Sequence, residues 1–171
     1  SEVEAILDTP AVNDEVIRHW REKACDRRTI IFCSTVKHAE DVAAAFRASG
    51  VSAACVHGKT PDGERQYLLK QLSRGKLQVM TNVMVLTEGF DSPPVSCVIL
   101  LRKCSAKSPM IQMVGRGLRT VNPEEHPGVI KSDCVVLDFG TSLLTHGDIH
   151  TDAIIEDERE PFEGEKVFKI C

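Results

Sequence analysis

Five short apolar runs, separated by stretches with helical periodicity, constrain this chain more than any other feature. RTIIFCS, VSAACVH, LQVMT, VSCVILL and DCVVLDF carry Val, Ile, Leu and Cys at consecutive rather than alternate positions, as do strands covered on both faces. Ahead of the first, VNDEVIRHWREKA sets Val12, Val16, Trp20 and Ala24 on one stripe, with Asn13 or Asp14 available as cap. VKHAEDVAAAFRASG reads as an alanine-rich helix closed by Gly50. Thr60 and Pro61 are expected to cap and open a helix through Leu72 that Gly75 stops. A short helix is expected in VMVLTE and another from Pro109 towards Leu118. Strand and helix in alternation predict an α/β fold, a parallel sheet with helices on both faces. Ligands of such sheets gather beyond the strand C-termini. The segments after the strands, and the helix carrying QMVGRGLR, are therefore the candidates, all expected on one edge.

With 171 residues, 42% of them apolar, the chain suits one domain and a tail. Residues 27–140 are read as that domain, residues 1–26 as a helix packed on it, and residues 141–171 as an acidic connector. No run of 18 apolar residues occurs, and SEVEAILDTP has neither a basic nor an apolar leader region. A soluble, intracellular protein is expected, cytoplasmic and nucleoid-associated if bacterial, with no membrane partner. The seven cysteines form no C-x-x-C pair and fall mostly inside apolar segments, as reduced core residues do.

The net charge of −4 hides a division along the chain. Residues 27–119 hold 14 Lys or Arg against 6 Asp or Glu, while the rest holds 7 against 19. A footprint for phosphate, if the charges are not merely scattered over solvated helix faces, lies in the middle. THGDIHTDAIIEDEREPFEGEKVF carries eight acids and two basic residues, hence the connector. Cys171 would be the first ligand of a zinc element that continues beyond this sequence, or a lone cysteine; no metal can be held by the residues present.

HGKTPDGER contains the Gly-Lys-Thr that ends a P-loop, but Ala53 stands where the first glycine of G-x-x-x-x-G-K-[ST] belongs, inside an apolar strand rather than a wide turn. A self-contained P-loop-like NTPase or kinase thus remains only as an alternative.

CST after the first strand, HGK after the second, TNVMVLTEGFD after the third and QMVGRGLR beyond the fourth form an ordered set. It closely resembles the second RecA-like domain of superfamily 2 helicases and translocases, with IIFCSTVKHAEDVA similar to motif IV, TNVMVLTEGFD to motif V and QMVGRGLR to motif VI. The resemblance implies an ATP-dependent helicase whose ATP and Mg2+ are held mainly by a first RecA-like domain that carries the P-loop. It implies a nucleic-acid partner too, and makes this chain incomplete as an enzyme by itself. Arg116 and Arg119 become candidate arginine fingers, projecting from one helix face; a surface pair is the alternative. Planar, permanently charged guanidinium groups suit phosphoryl transfer. Gln112 is similar to the glutamine that couples nucleotide to domain closure, unless it is an exposed helix residue only. Gly89 would let backbone approach the nucleotide, and Asp91 would accept from a ribose hydroxyl or else form an Asx turn before Pro93 and Pro94. Ser34, Thr35, His57, Gly58 and Thr81 match positions that hold nucleic-acid phosphates; the Ser and Thr could equally cap the next helices.

DEAD-box RNA helicases usually have His at Gln112, Gly at Leu118 and Arg at Glu88. These departures, with TEGFD and GRGLR, make the chain more similar to bacterial RadD-like and restriction-type helicases, so DNA is expected over RNA. A non-catalytic nucleic-acid-binding module is the remaining alternative.

Overall fold

The computed structural model describes Leu7, residues 9–84, 91–140, Ser142, Thr145 and 167–170. Helix α1 (Pro10–Ala24) precedes β1 (Thr29–Cys33), α2 (Val36–Ala48), β2 (Ala53–Val56), α3 (Asp62–Ser73), β3 (Val79–Asn82), β4 (Cys97–Leu101), α4 (Lys107–Gly115), β5 (Cys134–Asp138) and β6 (Val167–Ile170). The sheet runs β2-β3-β1-β4-β5-β6. Its first five strands are parallel, with Thr29 opposite both Val79 and Cys97, and β6 lies antiparallel to β5 with Val167 opposite Leu137. The five parallel strands are those expected. The sixth falls in the stretch read as connector: a four-residue edge strand after an acidic run offers no periodicity, and its pairing with β5 defines it.

Every residue of β1 and β4 is buried because successive side chains enter different cores. Ile30, Phe32, Val98, Leu100 and Val136 pack under α3 and α4 through Leu72, Met110, Met113 and Val114. Ile31, Cys33, Ile99, Leu101 and Leu137 pack under α1 and α2 through Val16, Trp20, Val42 and Phe46. Trp20 is 1% exposed, donates from Nε1 to Thr29 Oγ1 at 2.8 Å and meets Phe46 edge-on at 5.3 Å. Helix α1 is thereby locked to the start of β1.

The helix ends follow the chemistry of their residues, with corrections to the expected caps. Thr9, not Asn13 or Asp14, caps α1, its hydroxyl accepting from Val12 N–H at 3.4 Å, and Asn13 is buried inside the helix. Thr60 does not cap α3. Pro61 stands at that cap without a side-chain bond, and Thr60 Oγ1 accepts from His57 N–H at 3.0 Å instead. The two expected stops hold. Gly50 and Gly75 have φ of 87° and 74°, a region in which a side chain is strained. At each, the next residue's N–H reaches back along the helix, Val51 to Phe46 O and Lys76 to Gln71 O, closing it. Among the described residues no disulfide forms, and Cys25, Cys33, Cys55, Cys97, Cys104 and Cys134 all remain thiols. Among the described residues no helix is long and apolar enough to cross a membrane.

Candidate functional site

The parallel strands deliver two groups of candidate residues to opposite ends of the sheet. Ser34 and Thr35 follow β1 and His57 and Gly58 follow β2 at the C-terminal edge. Asp91 belongs to the segment that enters β4 from the other end. Val95 N–H closes a turn on Ser92 O, and Ser96 N–H donates to Arg28 O just ahead of β1. The single expected edge is therefore corrected to two. Helix α4 returns antiparallel to β4, which carries its C-terminal residues back to the strand starts, about 15 Å from the other group along a five-residue strand.

The placement of the two arginines on one helix is corrected as well. Helix α4 ends at Gly115, and Arg116 is its C-cap. The backbone then tightens into turns, with Gly117 N–H on Val114 O and Leu118 N–H on Gly115 O, so Arg119 lies beyond the helix. Glycine at 115 and 117 weakens helix propagation, and Gly117 also sits where nothing larger fits. A Cβ there would collide with Cys134 Sγ and stand 2.7 Å from Val98 Cγ2. The turn is thus pressed onto β4 and β5. Gln112, one turn before Arg116, is exposed, and Arg116 is half-buried.

Arg119 and Asp91, 28 positions apart in sequence, meet at the surface, Nη1 standing 3.3 Å from Oδ1 with the side chains 47% and 60% exposed. Ser92 O, not the Asp91 carboxylate, closes the turn around Pro93 and Pro94. Beneath the pair Lys131 Nζ donates to Arg119 O at 2.6 Å and to Pro93 O at 2.9 Å. Burial pushes its pKa below the usual lysine value. Gly89 lies outside the described residues, as does the short helix expected in VMVLTE from residue 85 onward; Val83 and Met84 at its start are not helical.

At the other edge Thr35 is exposed and caps α2, its Oγ1 accepting from His38 N–H at 3.1 Å. Ser34 Oγ is shielded from water and has no hydrogen-bond partner among the described residues, an arrangement that ordinarily costs about 1–3 kcal/mol unless a ligand or water answers it. Thr81 is corrected. It is fully buried, and its hydroxyl donates to Ala39 O at 2.7 Å, tying β3 to the first turn of α2, so that hydroxyl is not presented to a phosphate. Next to it Asn82, which belongs to none of the candidate positions, is also buried, donating from Nδ2 to Ile31 O at 3.0 Å while its Oδ1 has no partner among the described residues. An Asn ending an apolar strand was the available signal. Lys131 gave none, lying in a loop outside every motif.

The HGKT loop is closed upon itself. His57 N–H donates to Thr60 Oγ1, Lys59 N–H to His57 Nδ1 at 3.2 Å and Thr60 N–H to His57 O at 3.0 Å. A phosphate cradle needs those amides open, so the self-contained P-loop alternative lacks its donors. Gly58 is exposed, and His57 Nε2 stands 3.9 Å from Glu40. No group of three His, Cys, Asp or Glu among the described residues could hold a metal ion.

An open, mostly parallel sheet covered by helices on both faces is the architecture expected of a RecA-like domain. The chain belongs to the helicase conserved C-terminal domain family, whose model matches residues 10–121. It is 40% identical over 130 residues to irc3 of Schizosaccharomyces pombe, named as a mitochondrial ATP-dependent helicase, covering 75% of this chain and 20% of that protein. It is 25% identical over 173 residues to IRC3 of Saccharomyces cerevisiae, named as an ATP-dependent helicase, covering 96% of this chain and 25% of that one. The chain thus spans about a fifth to a quarter of these relatives' length. Its fold is similar to that of the E. coli DEAD-box protein SrmB, solved bound to regulator of ribonuclease activity A, with a TM-score of 0.56 at 22% identity over 64% of this chain and 63% of that one. At that identity the likeness is one of fold and not of DEAD-box type.

Proposed function

We propose that this chain is the second motor domain of an ATP-dependent DNA helicase or translocase, working against a first RecA-like domain. The surface pairing of Arg119 with Asp91 carries the reading: an arginine of the last motif and a carboxylate of the preceding one stand together on an open face, where a nucleotide held by another domain can reach both. ATP, when bound between the domains with its Mg2+ on the first, supplies the phosphoanhydride whose cleavage drives movement. Arg119, with Arg116 beside it in sequence, puts planar positive charge where negative charge develops on the transferred group. Gln112 reports nucleotide to the helix, Asp91 accepts from a ribose hydroxyl, and Gly89 gives backbone room. At the far edge Ser34, Thr35, His57 and Gly58 hold the nucleic-acid backbone without reading sequence. The orphan Ser34 hydroxyl and the basic excess of residues 27–119 support this. DNA is favoured over RNA by Gln112, Leu118 and Glu88, which depart from the DEAD-box pattern. The absence of disulfides among the described cysteines fits a reducing compartment such as the cytoplasm, and the fission-yeast relative's name adds the mitochondrion.

The test is ATPase activity of the full-length protein with single-stranded DNA, duplex DNA and RNA. Arg119→Ala is expected to lower DNA-stimulated kcat by on the order of 10³ with a smaller change in KM, and Arg119→Lys to recover little. Turnover within a few-fold of wild type in Arg119→Ala would refute the finger role. DNA-stimulated turnover absent from the wild type would leave the non-catalytic binding module as the better reading.

A further inference from the structure

We infer that Lys131 is a positioning residue for the phosphoryl-transfer chemistry, a clamp that fixes the backbone from which Arg119 reaches the nucleotide. The inference rests on the finger role proposed for Arg119. Three observations carry it. Arg119 stands one residue past the last turn hydrogen bond of the α4 exit, Leu118 N–H to Gly115 O, and its carbonyl is taken by Lys131 Nζ at 2.6 Å. The same ammonium holds Pro93 O at 2.9 Å, two residues from Asp91, whose carboxylate faces the Arg119 guanidinium at 3.3 Å. One cation therefore joins the backbones beneath both members of the pair. Finally, Lys131 lies in a loop far from α4 in sequence and is drawn partly out of water to make these two bonds, with its ammonium destabilised by burial. Two carbonyl acceptors on different segments, engaged at once, fix a separation between them; a lysine reaching for solvent would fix nothing.

The clamp matters because a finger's contribution depends on where its charge stands. A displacement of about 1 Å at a catalytic group costs on the order of 10² in rate, and the two segments converge at Lys131 without a backbone hydrogen bond of the sheet between them.

In the full-length protein, Lys131→Met keeps the stem and removes the donors, and Lys131→Arg restores them with altered reach. Lys131→Met is expected to lower DNA-stimulated kcat about tenfold or more while KM for ATP and DNA affinity change less than threefold. Lys131→Arg should recover part of the loss. Because Lys131 acts through Arg119, adding Lys131→Met to Arg119→Ala should cost less than twofold further. A kcat within twofold of wild type in Lys131→Met overturns the clamp. So does a full tenfold loss repeated in the Arg119→Ala background, or a fall in kcat that tracks a loss of melting temperature and is not relieved by Lys131→Arg. If Arg119→Ala is silent, the finger reading falls and the clamp with it; if Arg119→Ala is inactive and Lys131→Met is normal, only the clamp falls.

Discussion

Gly117→Ala tests how tightly the turn bearing Arg119 is pressed onto the sheet. The added methyl would overlap Cys134 Sγ and stand 2.7 Å from Val98 Cγ2, where carbon atoms ordinarily approach to about 3.5–4.0 Å. An overlap of roughly 1 Å with two neighbours belongs at the upper part of the range for overpacking, about 2–3 kcal/mol. Neither neighbour can swing away. Both are fully buried on adjacent strands, and Val98 is β-branched. The turn itself must lift, and it carries Arg119. Urea unfolding should show the loss in stability, thermal unfolding should drop by about 5–10 °C, and ATPase of the full-length protein should fall by on the order of 10². Cys134→Ala, which removes the nearer atom, should restore at least half of the lost stability when combined with Gly117→Ala. A stability within about 0.5 kcal/mol of wild type, or strictly additive effects of the two substitutions, would refute the packing argument.

Trp20→Phe leaves Thr29 Oγ1 without its indole donor and shrinks the contact with Phe46; an expected loss of about 1–3 kcal/mol in urea unfolding checks that α1 is part of the core, and no loss would detach it. Thiol labelling of the native protein at about pH 8 should modify the exposed Cys25 and spare Cys134, whose thiol burial pushes up to about 11, leaving a thiolate fraction on the order of 10⁻³. Mass spectrometry that finds Cys134 labelled as fast as Cys25 would contradict that burial.

The five parallel strands were legible in the sequence because both faces of the sheet are covered, and short β-branched apolar runs bounded by turn residues favour a strand over a buried helix segment. Gly50 and Gly75 were legible for a related reason: a left-handed residue after a helix favours glycine, and the signal is local. Caps were legible only in part: Thr35 after β1 was open to capping the next helix and does so, whereas Thr9, Asn13 and Asp14 offer the same chemistry, and which one acts depends on where the helix starts. Three features needed the third dimension. Helix α4 ends at Gly115, and Gly117 in the following turn lies so close to Cys134 and Val98 that a Cβ would collide with them, a proximity no spacing rule contains. The two ends of the sheet could not be told apart from chain order alone, because Asp91 leads into β4 while Ser34 leads out of β1. Thr81 carries the same hydroxyl as a phosphate-binding residue and is buried against α2 by the register of β3.

The Asp91–Arg119 pair defines what the nucleotide would have to displace. With both side chains about half exposed, an ion pair of this kind contributes about 0–1 kcal/mol, so releasing it for a phosphate opposes binding only slightly. Its value would lie in aim: the carboxylate holds a long side chain near the open face. If Asp91 also accepts from the ribose, Asp91→Ala removes a contact made in ground state and transition state alike, and its signature must differ from that of the finger. In the full-length protein KM for ATP should rise several-fold, kcat should fall far less than in Arg119→Ala, and the melting temperature should stay within about 2 °C. Asp91→Asn, which keeps an acceptor, should recover part of the affinity. A variant with unchanged KM and a kcat as low as that of Arg119→Ala would reverse the assignment, making the pairing itself, and not the ribose contact, the reason for a carboxylate at this position.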